Sequence, residues 1–237
     1  MVQQIKFNMY YLLKSSWSTI LIFWGIYTGF IALMFIMAFS FQSSDIEFIG
    51  FNTIPSMIFT TVFALLLFKE TFPSIIKYGT TRLSYIFSML VYVILYAVVM
   101  TVISNLLIVL IHRFGKVLNI TNFQFYGLDT SFQSSVGKLD TMIYEGMLYI
   151  LLFLVGFIIS SLFFRFGYKV SAIFILVIAM PLFIRSYAED LTDLLSYLII
   201  TTDQYTAFAF LLPFSILAVG IWLITRNASI VDKLSNK

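Results

Sequence analysis

The sequence predicts an all-α membrane protein with six transmembrane helices, and two features of its composition carry that prediction. Of the 237 residues, 61% are hydrophobic and only 11% are charged, whereas about a quarter of the residues of a soluble domain are charged. The apolar residues also come in long blocks, and about 20 consecutive apolar residues are needed for a helix to cross a bilayer. These two features exclude a soluble globular fold.

Six apolar blocks make up a single transmembrane domain that covers residues 1–237. The third block is too long for a perpendicular span, so we expect it to tilt or to protrude. The fifth block is short, and Lys169 and Arg185 bound it. The predicted spans are residues 17–40, 51–68, 83–111, 142–164, 170–184 and 206–225.

The distribution of Lys and Arg predicts the orientation, because short cytoplasmic loops of membrane proteins carry an excess of these residues. One side has only Arg113, Lys116, Lys138 and Arg185. The other side collects Lys6, Lys14, Lys69, Lys77, Arg82, Arg165, Lys169, Arg226, Lys233 and Lys237. Six spans put both termini on the basic side, so we expect both termini to be cytoplasmic.

Two segments outside the spans have the periodicity of amphipathic helices. Residues 2–14 predict a helix that lies in the membrane interface before the first span, and this region lacks the features of a cleavable signal peptide. Residues 189–200 predict an amphipathic helix on the outer side. The apolar faces are formed by Val2, Ile5, Met9 and Leu12 in the first segment and by Leu191, Leu194, Leu195 and Leu198 in the second.

The residues available exclude most chemistry. Cysteine is absent, which excludes disulfides, thiolate metal sites and cysteine nucleophiles. The single histidine, His112, lies at an outer helix end, so we predict no metal site and no catalytic residue in the spans. The only Lys followed by Ser or Thr is Lys14, and Leu13 precedes it where a phosphate-binding loop requires Gly. We therefore expect that the chain cannot hydrolyse ATP by itself.

Glu145 is the sole acidic residue near a span, about one turn inside the fourth. We expect its side chain to extend to the outer surface. The alternative is a functional charge within the membrane. Ion-coupled carriers depend on such charges or on broken helices in paired halves, so a secondary transporter is the less favoured class.

The loop of residues 69–82, between the second and third spans, has the most informative local pattern. Pro73 suits the first turn of a helix, Gly79 suits its C-terminal end, and Thr80 or Thr81 can cap the third span. The pattern predicts a short basic helix parallel to the membrane, with an apolar knob formed by Phe72, Ile75 and Ile76. A plain capped turn is the alternative.

A GxxxG pair in the first span, Gly25 and Gly29, predicts a place where two helices approach closely. In a chain with six spans such a pair serves packing within the chain more often than packing between subunits. We therefore expect it to pack against another helix of the same chain, with a role at a subunit interface as the alternative.

The string Tyr78-Gly79-Thr80-Thr81-Arg82, after a second span ending in Phe68-Lys69-Glu70, resembles the [FY]-G-x-[ST]-R signature of bacterial ABC-2-type exporter permeases. In that family this segment is the coupling helix, which docks on a separate nucleotide-binding subunit. Arg165-Phe166-Gly167 resembles the family's second cytoplasmic turn. Residues 2–14 are similar to its connecting helix, and residues 189–200 to its outer, partly re-entrant helix.

The resemblance implies a permease subunit in the bacterial plasma membrane that works with separate ABC ATPase subunits and a second permease subunit, identical or similar. ATP and Mg²⁺ would bind to the ATPase partners and not to this chain, and no nucleic acid is implied. It also implies a hydrophobic or amphipathic cargo, a peptide first and a lipophilic drug second. The implied coupling residues are Glu70, Phe72, Ile75, Ile76, Tyr78, Gly79, Arg82, Arg165 and Gly167.

A membrane immunity or sensor protein, which binds a peptide without energy coupling, is the alternative function. It would share the helical architecture and the lack of catalytic groups. Co-purification of an ATPase distinguishes the two functions.

Overall fold

A computed structural model describes residues 1–42, 46–128, 137–179 and 207–226, and these ranges form a helical bundle with one small pair of strands. Four helices, α1 to α4, are long and apolar enough to cross a membrane. The chain therefore has the architecture of a helical membrane protein. The elements are α1 (Val2–Ser40), β1 (Phe48–Phe51), α2 (Thr53–Lys77), α3 (Arg82–Val117), β2 (Phe123–Tyr126), α4 (Lys138–Phe166), α5 (Tyr168–Ala179), a 3-10 turn (Ala207–Phe210) and α6 (Leu211–Thr225).

The bundle has two distinct ends. At the basic end α2 turns into α3 and α4 ends, and the side chains gathered there include Lys77, Arg82, Arg165 and Arg226. At the strand end β1 and β2 pair in parallel, with Phe48 opposite Phe123. The candidate functional residues described below divide between these two ends.

Helices α1 and α3 run in the same direction. Near the basic end Asn8 Nδ2 donates to Ser84 Oγ at 3.5 Å, and farther along Trp24 Nε1 contacts Met100 Sδ at 3.3 Å. The same sequence separation of 76 residues recurs in both contacts, as it must when two helices advance side by side.

Helix α2 runs antiparallel to α3 and is bound to it by hydroxyl groups. Thr71 pairs with Tyr85 near the connecting turn, and Thr60 pairs with Tyr96 deeper in the bundle, each at 3.0 Å. All four residues are buried. Such hydrogen bonds hold helices together in lipid, where the hydrophobic effect between helices is absent.

Helix α4 runs parallel to α2, and α6 runs parallel to α4. Ser160 Oγ on α4 donates to the carbonyl oxygen of Leu65 on α2 at 2.6 Å. The ring of Phe210, just before α6, packs on Tyr144 near the start of α4. The chain thus leaves α4 at Gly167 at the basic end and is back at the strand end by residue 210.

Aromatic side chains form the centre of the bundle. Phe68 on α2 stacks on Phe72 with ring centroids 5.0 Å apart and meets Phe157 on α4 edge-on at 4.7 Å. Edge-to-face and offset ring pairs add about 0.5–1.5 kcal/mol beyond the area that they bury. The largest fully buried side chains include Tyr85, Tyr92, Tyr149, Phe68, Phe72, Phe153, Phe157 and Phe164.

The N-terminal segment differs from its prediction. Residues 2–14 do not form a separate helix, because α1 is continuous for 39 residues from Val2 to Ser40. Its buried stripe starts at Asn8 and continues through Leu12, Ser16 and Ile20 with a spacing of four. Since no Gly or Pro interrupts residues 2–24, nothing local ends the helix before the span.

The strand pair is a second difference. Residues 48–51 form β1 and α2 begins at Thr53, so residue 51, predicted to open the second span, belongs to the strand. Gly50 permits the pairing, because a β-carbon there would stand 2.7 Å from the Phe125 ring. The predicted outer helix, residues 189–200, and the end of the fifth predicted span lie outside the described residues.

Candidate functional site

In the second half of the loop of residues 69–82, the turn between α2 and α3 has the structure that the sequence predicts. Gly79 has a φ of +81°, the left-handed conformation that glycine adopts where a helix ends. The Thr81 hydroxyl accepts a hydrogen bond from the Ser84 backbone N–H at 3.3 Å, so the predicted cap of α3 is confirmed. Thr80 turns inward and donates to the carbonyl oxygen of Ile75 at 2.9 Å.

The first half of this loop differs from the prediction. No separate short helix precedes Gly79, because α2 continues to Lys77 and Pro73 lies inside it. Proline removes one backbone hydrogen bond, the one that would end on the carbonyl of Lys69. Residue 69 is exposed at that point, where water can satisfy its carbonyl.

The predicted apolar knob is not on the surface. Phe72 and Ile75 have no exposed area, and Ile76 is partly buried. Phe72 packs edge-on against Tyr85 and Phe164 with ring centroids 5.3 and 5.5 Å apart. The physical reason is the continuity of α2, which places Phe72 and Ile75 on the inward face. These two side chains stabilise the bundle instead of presenting a contact.

The exposed face of the same segment is polar and aromatic. Lys69, Glu70, Lys77, Tyr78 and Gly79 are exposed, and we call them the turn face. Tyr78 is 68% exposed. It is nonetheless positioned by the first turns of α1.

Two rings from α1 hold Tyr78 in place. The Phe7 ring meets it edge-on at 5.7 Å, and the Tyr11 ring lies at 6.2 Å. The Thr81 hydroxyl lies 3.4 Å from Gln4 Oε1. The N-terminal part of α1 therefore acts as a brace for the turn face.

Arg82 and Arg165, predicted for different cytoplasmic turns, converge on the C-terminal end of α6. Arg82 Nη1 donates to the carbonyl oxygen of Arg226 at 3.0 Å. Arg165 Nη1 donates to the carbonyl oxygens of Leu223 and Ile224 at 3.0 and 2.9 Å. The last carbonyls of a helix have no partner within it and carry partial negative charge, so cations stabilise this end.

Gly167 follows Arg165 and ends α4 with a φ of +79°. Its backbone N–H donates to the carbonyl oxygen of Phe163 at 3.0 Å. This positive φ allows the chain to leave α4 abruptly and begin α5 at Tyr168.

The Gly25–Gly29 pair does not pack within the described part of the chain. A β-carbon on either residue would find nothing within 4 Å among the described residues, so the expected packing role within the chain stays a prediction. The close helix approach lies elsewhere, at Gly156 on α4. A β-carbon there would stand 2.7 Å from the carbonyl oxygen of Thr61 on α2 and 3.0 Å from Ala64 Cβ.

Glu145 is buried near the strand end, with 3% of its surface exposed. The expectation that it extends to the outer surface is therefore wrong. Ser104 Oγ donates to its Oε1 at 2.6 Å and Asn105 Nδ2 donates to its Oε2 at 2.8 Å. Tyr149 OH donates to Oε1 at 2.8 Å. The hydrogen bonds from α3 turn the carboxyl group into the bundle.

The polar cluster around Glu145 extends to the start of α2. Asn52 Nδ2 donates to the Ser104 backbone carbonyl at 3.0 Å and to Ser104 Oγ at 2.6 Å. Ser56 Oγ lies 2.7 Å from Tyr149 OH. Asn52, Ser56, Ser104 and Tyr149 are fully buried, and buried polar side chains in a membrane bundle are typical of functional positions.

Sequence reasoning identified Glu145 but missed its partners. Tyr149 follows one helical turn after Glu145, a spacing that puts both on one face, and this was the one local signal. Asn52, Ser56 and Ser104 come from other helices, so their meeting depends on tertiary packing. Within the described ranges, no group of three or more His, Cys, Asp or Glu residues could hold a metal ion.

Comparisons of this chain with protein-family models, with curated proteins and with solved structures found no match.

Proposed function

We propose that this chain is the membrane-spanning permease subunit of an ATP-driven exporter of the ABC-2 type, with six spans and both termini in the cytoplasm of a bacterial cell. ATP hydrolysis would take place on separate ATPase subunits that dock at the basic end. A second permease subunit would complete the translocation pathway, because six helices are few to enclose a peptide-sized path.

The observation that carries the proposal is the construction of the basic end. The turn face stands exposed after a long rigid helix, as a docking surface for an ATPase requires. Arg82 behind this face and Arg165 at the second turn share one anchor, the C-terminal end of α6. A displacement of one turn would therefore be transmitted to the other through the C-terminal end of α6.

Two further features support the topology and the cargo class. Gly167 lies at the basic end of α4, and Phe210 packs near the start of α4 at the opposite end of the bundle. A fifth span between these two residues would connect the two ends. Between α3 and α4 lies an apolar groove of about 380 Å³, whose lining includes Ile94, Val98, Ile143 and Met147. Such a surface suits a hydrophobic or amphipathic cargo, a peptide above all.

The test is isolation of the protein from native membranes and identification of the proteins bound to it. We expect an ATPase subunit with a phosphate-binding loop to accompany the wild-type chain. Lys77→Glu and Tyr78→Ala should release it, since both side chains are exposed on the turn face. Lys116→Glu is the matched control, because Lys116 is an exposed lysine in the last turn of α3 at the opposite end.

Two outcomes would contradict the proposal. If no ATPase accompanies the wild-type chain, a membrane protein that binds a peptide without energy coupling becomes the better assignment. If an ATPase is present but Lys77→Glu and Lys116→Glu affect it equally, the partner does not dock on the turn face.

A further inference from the structure

A groove opens at the basic end of the bundle, between the first turn of α3 and the last turn of α6. Its volume is about 450 Å³, which is within the range of sites that hold small ligands. Arg82 at the start of α3 and Arg226 just after α6 both line it, and none of the described lining residues is acidic. The groove is therefore a positively charged depression, which favours an anionic occupant.

The two arginines are brought together by the backbone and by an aromatic ring. Arg82 Nη1 donates to the carbonyl oxygen of Arg226 at 3.0 Å, and the Arg226 guanidinium lies over the Trp222 ring, 5.2 Å from its centroid. The N–H donors of a guanidinium lie in its own plane, so a ring on its face does not occupy them. Because this fork of donors matches two oxygens of a phosphate group, arginine is well suited to bind phosphate.

The helix ends beside the groove do not change the sign of its potential. The last carbonyls of α6 are partly negative, while the first turn of α3 is partly positive, so these two contributions oppose each other. The described acidic residue at the basic end, Glu70, belongs to the exposed turn face and does not line the groove. The full charges of Arg82 and Arg226 therefore determine the potential.

The rest of the groove has an apolar wall that leads away from the arginines along α3. Leu83 and Trp222 are exposed in it, and Ile86 forms its buried part. Phe87, one helical turn after Leu83, is also exposed, so the apolar surface continues toward the middle of a helix that is long enough to cross a membrane. Tryptophan is enriched where hydrocarbon meets water, which puts the arginines at the level of the lipid headgroups.

We propose that this groove binds one anionic phospholipid, with its phosphate at Arg82 and Arg226 and an acyl chain along Leu83 and Phe87. Cations near a membrane surface attract anionic headgroups, and the groove adds a place for the chain. A free phosphate would leave the apolar wall uncovered, and a zwitterionic lipid would bring an ammonium group to a site that is already positive.

A phospholipid in this groove would contact both α3 and the end of α6, and would therefore stabilise the packing of these two helices. The proposal rests on the position of the bundle in a bilayer and not on an ATPase partner. Lipid binding is measured on the purified chain alone, so the absence of an ATPase would leave this proposal unaffected.

The first test is native mass spectrometry of the wild-type protein in detergent, titrated with phosphatidylglycerol or with phosphatidylcholine. We expect phosphatidylglycerol to bind at least about fivefold more tightly, since each cation near a membrane surface contributes about this factor. Inorganic phosphate, added as a competitor, should not displace the bound lipid. Equal affinities for the two lipids, or displacement by inorganic phosphate, would overturn the proposal.

The second test is Arg226→Gln, which removes one charge from the groove but keeps the backbone carbonyl that Arg82 binds. We expect it to lower the affinity for phosphatidylglycerol about fivefold and to leave the affinity for phosphatidylcholine unchanged. Lys169→Gln is the matched control, because Lys169 is an exposed cation at the same end that does not line the groove. Equal losses in the two variants would mean that only the overall charge matters, which contradicts the proposal.

The third test is Leu83→Asn, which keeps both arginines but makes the exposed wall of the groove polar. It should weaken the binding of phosphatidylglycerol, because the acyl chain loses an apolar contact. Unchanged binding would show that the lipid chain does not lie along α3 and would overturn the proposed site. If Arg226→Gln does not fold, the comparison of the two lipids and inorganic phosphate on the wild type decides the question.

Discussion

Gly156 on α4 lies directly against the backbone of Thr61 on α2, so that a β-carbon at position 156 would stand 2.7 Å from the Thr61 carbonyl oxygen. Gly156→Ala should force the two helices apart, at a cost of about 1–3 kcal/mol in stability for overpacking. Thermal unfolding in detergent measures this loss. Gly25→Ala is the control, because a β-carbon there meets nothing within 4 Å. Equal melting temperatures for the two variants would show that α2 and α4 do not approach so closely.

Phe72→Ala should destabilise the bundle and not merely weaken a docking contact. The ring has no exposed area and packs on Phe68, Tyr85 and Phe164, and removal of a buried Phe side chain costs about 3–5 kcal/mol. We expect a lower melting temperature and less folded protein in the membrane. Tyr78→Ala, on the exposed face of the same segment, should leave the melting temperature nearly unchanged. The reverse order would mean that Phe72 faces outward, as the sequence alone suggested.

Arg165→Ala should loosen the last turn of α6. The substitution leaves the carbonyl oxygens of Leu223 and Ile224 without their cationic donor, and a hydrogen bond to a charged group contributes about 1.5–3 kcal/mol. Hydrogen–deuterium exchange should become faster in the C-terminal half of α6. Lys169→Ala, an exposed cation at the start of α5, should not change that exchange. Unchanged exchange in Arg165→Ala would show that Arg165 does not stabilise the end of α6, and the two turns would then not share this anchor.

Cysteine labelling tests the orientation, since the chain has no cysteine of its own. Cysteines in place of Lys116 and Lys138, both exposed at the strand end, should react with an impermeant thiol reagent on intact cells. A cysteine in place of Lys77 at the basic end should react only after the cells are opened. Reaction of the Lys77 variant from outside would reverse the proposed topology.

Gly29→Leu tests whether the exposed GxxxG face joins two copies of the chain. Gly25 and Gly29 have no neighbour within the described ranges that a new side chain would displace, so the monomer should keep its melting temperature. If this face is the subunit interface, the mass of the purified assembly should fall from two permease subunits to one. A folded Gly29→Leu protein that stays dimeric would place the interface on another helix.

The sequence predicted the parts of the fold that depend on local patterns. Block length and hydropathy predicted the long helices, and residue type predicted the Thr81 cap and the glycine end at Gly79. Both features belong to the single turn between α2 and α3, whose course is decided by a few neighbouring residues. Local chemistry of this kind is readable without knowledge of the tertiary structure.

The errors arise where tertiary packing decides. Pro73 suggested a helix start, but the burial of Phe72 and Ile75 carries α2 through it. The sequence also did not identify Gly156 on α4, where the described helices bring two backbones together and one missing side chain is enough for the contact. Glu145 was expected at the surface because its partners, Ser104 and Asn105, are 40 or more residues away.

The unbroken course of α1 makes it a rigid rod between the two surfaces of the bundle. At a rise of 1.5 Å per residue its 39 residues span roughly 58 Å, more than the roughly 40–45 Å of a whole bilayer. Near its start Phe7 and Tyr11 touch the turn at Tyr78. Near its end the Ala38 carbonyl oxygen accepts from Asn122 Nδ2, beside β2. A tilt of α1 at Tyr78 would therefore also displace the loop at Asn122, which would couple the two ends of the bundle without a change in secondary structure.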